Sequence, residues 1–484
     1  MAAAVVTLGL STLFGCTVGP RYARPSAPAP PAYKELPPNW KEAQPSDQLT
    51  KGQWWQIFND PQLNALEDQV NVSNQTLKVA QAQFEQARAL VRINRSSLYP
   101  NVTGGVSATR SHLSSNRPNG KFAPANAYTD LQLPVDASYE ADVWGRVRKT
   151  VEAARANAQA SGADLENVNL SLHAELASDY FQLRTLDAEE QLLNSTVAAY
   201  EKALELTRNR YSGGIASQVD VAQAETQLET TRAQAIDLGV QRAQFEHAIA
   251  VLIGQPASTF SLPIVPLASM PPRVPVGLPS ELLERRPDVA GNERRMAAAN
   301  AQIGIARAAY FPTIALGATG GFESTSITTW FNGPGGFITA GASAIGTIFD
   351  AGRRRAVTDE ARAAYDQSVA NYRQTVLGAF QEVEDNLAAL RLLEDEAKTQ
   401  DAAVASAQRS LSLSTNRYKG GVTTYLEVIT AQSIALTDQR VAVEIAGRRM
   451  TASVTLIKAL GGGWTASNLP IVQRDSRPNS PNGQ

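Results

Sequence analysis

Several things are scarce in this chain of 484 residues. It has one cysteine, Cys16, so no disulfide can form within the chain. Its histidines, His112, His173 and His247, are scattered without the spacing of a metal site. Neither charge prevails: 44 Lys and Arg stand against 46 Asp and Glu, so the basic excess of a nucleic-acid binder is missing. There is no Walker A, no G-x-S-x-G and no H-E-x-x-H. Acidic groups such as Glu189-Glu190 and Glu394-Asp395-Glu396 lie in helix-forming tracts, where they read as solvated charges rather than acid–base pairs. These absences argue against an enzyme, a bound cofactor or metal, and a nucleic-acid partner.

The N-terminus has a character of its own. AAAVVTLGLSTLFGC (2–16) is an apolar run of signal-peptide length, too short to cross a bilayer as a helix. It ends in Leu-Phe-Gly-Cys, similar to the lipobox of bacterial lipoproteins. The expectation is a signal peptide over 1–15, a covalent lipid on Cys16, and a lipidated, extended segment over 16–60. Thr17, which is not Asp, is consistent with export to the outer membrane.

Proline is absent from two long tracts, 146–211 and 353–418, and this is the key to the rest. NRYSGGI (209–215) returns as NRYKGGV (416–422), 207 positions later. At the same offset Gly145-Arg146-Val147-Arg148 matches Gly352-Arg353-Arg354-Arg355, and Leu183-Arg184 matches Leu390-Arg391. The chain is therefore one unit written twice, over 60–255 and 280–462, with a Pro-rich linker over 255–279 and a polar tail over 463–484. Each unit reads as a helical tract (61–97; 286–308), two strands (99–113 and 129–143; 311–322 and 337–349), a long helix (146–211; 353–418), a Gly-Gly turn (213–217; 420–423) and a returning helix (218–253; 424–460). A helix of 66 residues would run about 100 Å, and the two shorter helices of each unit, stacked end to end, would cover it. Leu165, Val168, Leu172, Leu176, Tyr180 and Leu183 form its packing stripe.

LQLPVDASYEADV (131–143) alternates without a break, apolar residues on one face and Asp136, Glu140 and Asp142 on the other. The segment 308–349 competes with a transmembrane helix, but Pro312, Pro334 and its glycines favour strand–turn–strand, with a loop near Trp330-Phe331-Asn332-Gly333. Four such strands cannot close a barrel, and open edges are not tolerated in lipid. Either these are soluble hairpins or several chains share a barrel; the lipid anchor and the strands together favour the second. Asp136, Glu140 and Asp142 would then face a watery lumen.

This arrangement resembles the TolC-like outer-membrane factor family, in particular the lipoprotein (NodT-type) members that serve resistance–nodulation–division efflux pumps. The resemblance covers almost the whole chain. It is strongest in GLPSELLERRPDVAGNERRMAAANAQIGIARAAYFPTIAL (277–316) and in YSGGIASQVDVAQAE and YKGGVTTYLEVITAQ around the turns. It implies a mainly α protein with a small transmembrane β part: a homotrimer whose 12-stranded outer-membrane β-barrel is continuous with a 12-helix periplasmic α-barrel. It also implies outer-membrane lipid around the barrel, a periplasmic membrane-fusion adaptor and an inner-membrane pump as partners, and a passive exit duct as the function. A lipid-anchored periplasmic coiled-coil adaptor or structural protein is the alternative.

The turns would be the periplasmic tips. Gly213-Gly214 and Gly420-Gly421 would end the long helices in the left-handed conformation. Ser217…Asp220 and Thr424…Glu427 read as capping boxes or close to them. By the resemblance, Asp220 and Glu427 ring the closed mouth and select for cations, while Tyr418 takes part in the hydrogen bonds that hold it shut; Tyr211 is its first-copy counterpart. Glu427 departs from the family's commoner Asp, and Thr430 stands where some members carry another. Arg208, Arg210, Arg417 and Lys419 read as a solvated face or as adaptor contacts.

Overall fold

The computed structural model describes residues 17–26, 30–35, 53–112, 127–268 and 282–465, with isolated positions beside them. Cys16, the signal peptide, the GLPS stretch and most of the C-terminal tail lie outside the described residues. Helix α1 (Pro61–Ser73) and α2 (Gln75–Ser96) lead into β1 (Asn101–Gly104), β2 (Ser107–Ser111) and β3 (Tyr128–Ala141). Then come α3 (Arg146–Ser212) and α4 (Gln218–Leu252). The second copy holds α5 (Pro287–Ala308), β4 (Thr313–Ser324), β5 (Gly336–Ile345), α6 (Arg353–Lys419) and α7 (Tyr425–Ala459). The duplication is visible in the lengths: α3 and α6 have 67 residues each, α4 and α7 have 35 each. At 1.5 Å per residue the long helices run about 100 Å. None of the helices among the described residues is long and apolar enough to cross a membrane.

Long helices need lateral support, since propensity alone gives little. Here α4 and α2 both pack on α3, α7 and α5 both pack on α6, and α5 and α7 also pack on α3, which joins the copies. The shorter helices meet end to end through paired joints. Gly254 and Gly461 follow the returning helices with φ of 71° and 89°. A Cβ on Gly254 would lie 2.4 Å from the Ser73 carbonyl oxygen, and one on Gly461 2.0 Å from that of Arg285, so only glycine fits. Asn74 completes the first joint. It breaks the helix expected over 61–97, caps α2 by accepting from the Leu77 N–H at 2.9 Å, and donates to the Leu252 carbonyl at 2.7 Å. At the second joint Arg286 donates to the Ala459 carbonyl at 3.0 Å.

The strands form one antiparallel sheet in the order β1/β2–β3–β4–β5. The strand expected over 99–113 appears as two pieces, both paired with β3 in one continuous register. The gap falls opposite Pro134, which accepts from the Gly105 N–H at 3.1 Å but has no N–H to return. The register brings Val102, Val135, Leu316 and Ile338 onto one face, all exposed. Thr103, Asp136, Thr319 and Thr339 share the other face, as do Gln132 and Glu323. Both outer edges, β1/β2 and β5, are without a partner strand among the described residues.

The core lies where α1, the Trp54–Phe58 turn and the middle of α3 meet, around Trp54, Trp55, Leu63, Tyr180 and Phe181. The N-terminal segment is laid across both copies. Val18 N–H donates to the Trp144 carbonyl at 3.0 Å, Tyr22 donates to Glu293, and the Lys34 and Glu35 N–H groups donate to the Glu384 carboxylate at 2.8 and 3.0 Å. The side chain of Thr17 sits against Gly145, at the junction of sheet and long helix.

Candidate functional site: the paired tips and the polar face of the sheet

Each long helix ends in the same hydrogen-bonded turn. Gly214 N–H donates to the Tyr211 carbonyl and Ile215 N–H to that of Arg210, both at 2.9 Å. Gly421 N–H donates to Tyr418 and Val422 N–H to Arg417, both at 3.0 Å. This crossed pair is the Schellman motif. Gly214 and Gly421 carry the positive φ, 71° and 73°. Gly213 and Gly420 do not: their φ values are −82° and −75°, open to any residue.

Beyond the turns the copies diverge. In the first, the capping box forms: Asp220 N–H donates to Ser217 Oγ at 3.2 Å and Ser217 N–H to Asp220 Oδ2 at 2.9 Å. In the second it does not form, contrary to the sequence expectation. Thr424 makes no side-chain capping bond, and Glu427 instead faces Arg417 Nη1 at 3.8 Å. A glutamate is one methylene longer than the aspartate of the working box, and an arginine stands within its reach.

The tyrosines diverge too. Tyr211 is 48% exposed, whereas Tyr418 is 5% exposed. Tyr418 packs in a cluster with Tyr200, Leu204, Leu228, Tyr425 and Val428. Its ring lies 5.2 Å from that of Tyr425, whose phenol is pushed up to about 12, first by burial and then by the neighbouring Tyr418 and Tyr200. On its other side Arg210 places its guanidinium 4.8 Å from the ring centroid and donates to the Lys419 carbonyl at 3.1 Å. The Tyr418 hydroxyl has no hydrogen-bond partner among the described residues. So the structure brings together Tyr418, Tyr425 and Arg210, while Asp220 and Glu427 stay at the starts of their own helices. Sequence reasoning gave Arg210 only to a solvated or docking face, because nothing local marks a contact 209 residues away.

The three acids expected to face the lumen have separate partners. Asp136 accepts from the Thr319 hydroxyl at 2.6 Å across the polar face. Glu140 accepts from Arg146 Nε at 2.9 Å. Asp142 lies beyond the end of β3, where its carboxylate accepts from the Val147 and Arg148 N–H groups at 3.0 and 2.8 Å and pairs with the Arg148 side chain. Glu140 and Asp142 thus fasten the sheet to α3, while Asp136 stays on the polar face, which Glu323 shares. Aromatic pairs mark both ends of the sheet: Trp144 stacked on Phe311 at 4.6 Å beside the helices, and Trp330 on Phe331 at 5.2 Å at the far loop.

An amphipathic antiparallel sheet, bounded by aromatics and carried on a helical stalk of this length, defines a membrane β-protein with a long extramembrane helical part. A family model described as outer membrane efflux protein matches residues 66–255 and 278–462. The chain belongs to that family, which sets aside the coiled-coil alternative and an enzymatic role. It is 34% identical over 455 residues to the toluene efflux pump outer membrane protein TtgC of Pseudomonas putida, covering 93% of each chain. It is 32% identical over 457 residues to the pyoverdine export outer membrane protein OpmQ of Pseudomonas aeruginosa, covering 93% of this chain and 96% of that one. Among solved structures it is similar to the outer-membrane channel OprN, with a TM-score of 0.86 at 28% identity, covering 93% of this chain and 100% of that one. It is also similar to the open state of the MtrE channel of Neisseria gonorrhoeae, with a TM-score of 0.81 at 28% identity, covering 93% of this chain and 99% of that one.

Proposed function

We propose that this outer membrane efflux protein works as a passive exit duct, three copies forming a 12-stranded barrel above a helical tunnel. The observation that carries the reading is the sheet: one exposed apolar face, one polar face and two edges without a partner strand among the described residues, continuous with two helices of 67 residues. A free edge in lipid is not tolerated, so β5 of one copy pairs with β1/β2 of the next. Asp136 then faces the lumen. The tips, with Asp220, Glu427, Tyr211 and Tyr418, form the periplasmic mouth, where a membrane-fusion adaptor and an inner-membrane pump deliver substrate and energy. Acids at a narrow mouth favour cations. Glu427, not held by a capping box, is the freer of the two to do so. A lipid on Cys16 anchors the chain beside the barrel: Thr17, next in sequence, lies against Gly145 one residue from the interfacial Trp144.

The relatives are named for cargoes as unlike as toluene and pyoverdine, which fits a conduit whose selectivity resides largely in the pump. Light scattering and negative-stain microscopy of the detergent-purified protein test the reading. A three-chain tube with a stalk of about 100 Å is expected. A stable monomer would overturn it.

A further inference from the structure

The tip arginines of the two copies are counterparts 207 residues apart, yet they do different things. Arg417 stays on its own hairpin, 3.8 Å from Glu427, with both side chains at least half exposed. A pair so exposed contributes little to holding anything closed. Arg210 finds no such acid on its own hairpin, because Asp220 is committed to the capping box with Ser217. It crosses to the second tip instead. Its guanidinium covers the face of Tyr418 at 4.8 Å, and its Nη1 donates to the carbonyl of Lys419, the last residue of α6. That carbonyl is one of those a helix end leaves unpaired, and it lies at the negative end of the helix dipole.

We propose that Arg210 is the clasp by which the first tip of each chain holds the second tip in place, and that its release frees the Tyr418 end of α6 to move. The proposal rests on the duct reading, in which the tips close the channel. It assigns the hold to the face of the Tyr418 ring and to a backbone carbonyl. The Tyr418 hydroxyl is not part of it, being buried without a partner. Divergence of the duplicated turn makes this possible: one copy spends its acid on a cap and its arginine on the neighbouring tip, and the other pairs acid with arginine locally.

Resting conductance of the purified full-length protein in planar bilayers tests the clasp. Arg210→Met is expected to raise the ratio of open to closed channels roughly tenfold, from the loss of a cation–π contact and a charge-assisted hydrogen bond. Tyr418→Leu, which removes the ring, should do much the same, and the double variant should add little to either single change. Tyr418→Phe keeps the ring face and should open the channel far less than Arg210→Met, and Arg417→Met should leave the wild-type current. Should Arg210→Met not yield the wild-type particle, Arg210→Lys, which keeps the charge but loses the planar fork, takes its place with an intermediate rise. A wild-type current from Arg210→Met or Arg210→Lys would overturn the clasp, as would Tyr418→Phe opening the channel as far as Arg210→Met. Absence of any channel from the wild-type protein would instead overturn the duct reading itself.

Discussion

The imidazole Nδ1 of His173 lies 2.5 Å from a carboxyl oxygen of Glu67, with both side chains fully enclosed in the core. Trp55 stacks on the ring at 4.3 Å, and His173 Nε2 is 3.2 Å from Asn71 Oδ1. Burial lowers His173 from 6.5 to about 4 and raises Glu67 well above 4.5. Burial thus favours the neutral form of both groups, the arrangement in which the Glu67 O–H donates to Nδ1 and Nε2–H donates to Asn71.

This neutrality has a pH signature that the pair hides. Between pH 4.5 and 6.5 the unfolded chain charges His173 and ionises Glu67, whereas burial opposes both in the folded chain, so the two proton balances offset each other. Single variants uncouple them. Glu67→Gln leaves His173 alone, and stability should then fall as pH drops from 6.5 towards 4, by at most about 3 kcal/mol per chain. His173→Gln leaves Glu67 alone, and stability should fall as pH rises above 4.5. Thermal melting in detergent across this range reads both slopes. Two flat variants would mean that the pair is not held neutral.

Asp187 organises the linker. Fully buried, it accepts from Arg184 Nη1 at 2.7 Å, Arg242 Nε at 2.8 Å and the Val265 N–H at 3.0 Å. The same arginines donate to the carbonyls of Pro263 and Leu262, both at 2.7 Å. Asp187→Ala leaves Arg184 without its counter-ion and Arg242 with Glu246 alone, at 3.5 Å, and should cost roughly 3–5 kcal/mol. Limited proteolysis should find new cleavage within 255–268 before the helices yield. Unchanged melting and an intact linker would show that water replaces the carboxylate.

Features that depend on one residue type at one backbone position were legible in the sequence: the glycine turns, the Ser217 box, the period-two alternation of β3 and the proline-free helices. Those that depend on distant partners were not. Asn74 looks like one more polar residue in a helical tract until the Leu252 carbonyl, 178 residues away, gives its side chain a reason to break it. Tyr211 and Tyr418 occupy nearly the same local sequence, and only contacts from the other copy, Arg210 together with Tyr200, Leu204 and Leu228, accompany the burial of one of them. Glu140 and Asp142 are a different case. Arg146 and Arg148 stand six residues on, so their pairing was open to a reading less governed by alternation.

The tip glycines should not be equivalent. Gly214 and Gly421 hold positive φ, and alanine there should cost about 1–2 kcal/mol through the left-handed penalty. Gly213 and Gly420 are right-handed, and a Cβ on either meets nothing closer than 3.6 Å. Alanine at these positions should be neutral or stabilise by up to about 1 kcal/mol, by restricting the unfolded chain. Hydrogen exchange at the tip amides distinguishes the two classes; equal effects at all four positions would contradict the Schellman geometry.

The last test separates the two copies at their helix starts. Ser217 accepts from the Asp220 N–H and receives the Asp220 carboxylate on its own N–H, so Ser217→Ala should cost about 1 kcal/mol and speed exchange in the first turn of α4. Thr424 makes no such bond, so Thr424→Ala should leave the first turn of α7 as it was. The acids follow the same division. Asp220→Asn keeps an acceptor and should perturb α4 only slightly, whereas Glu427→Gln alters charge at the tip without touching a cap. If the mouth acids set selectivity, Glu427→Gln should lower the preference for cations over anions at unchanged helix protection. A drop in α7 protection with no change in ion preference would return Glu427 to the role of a helix-start acid.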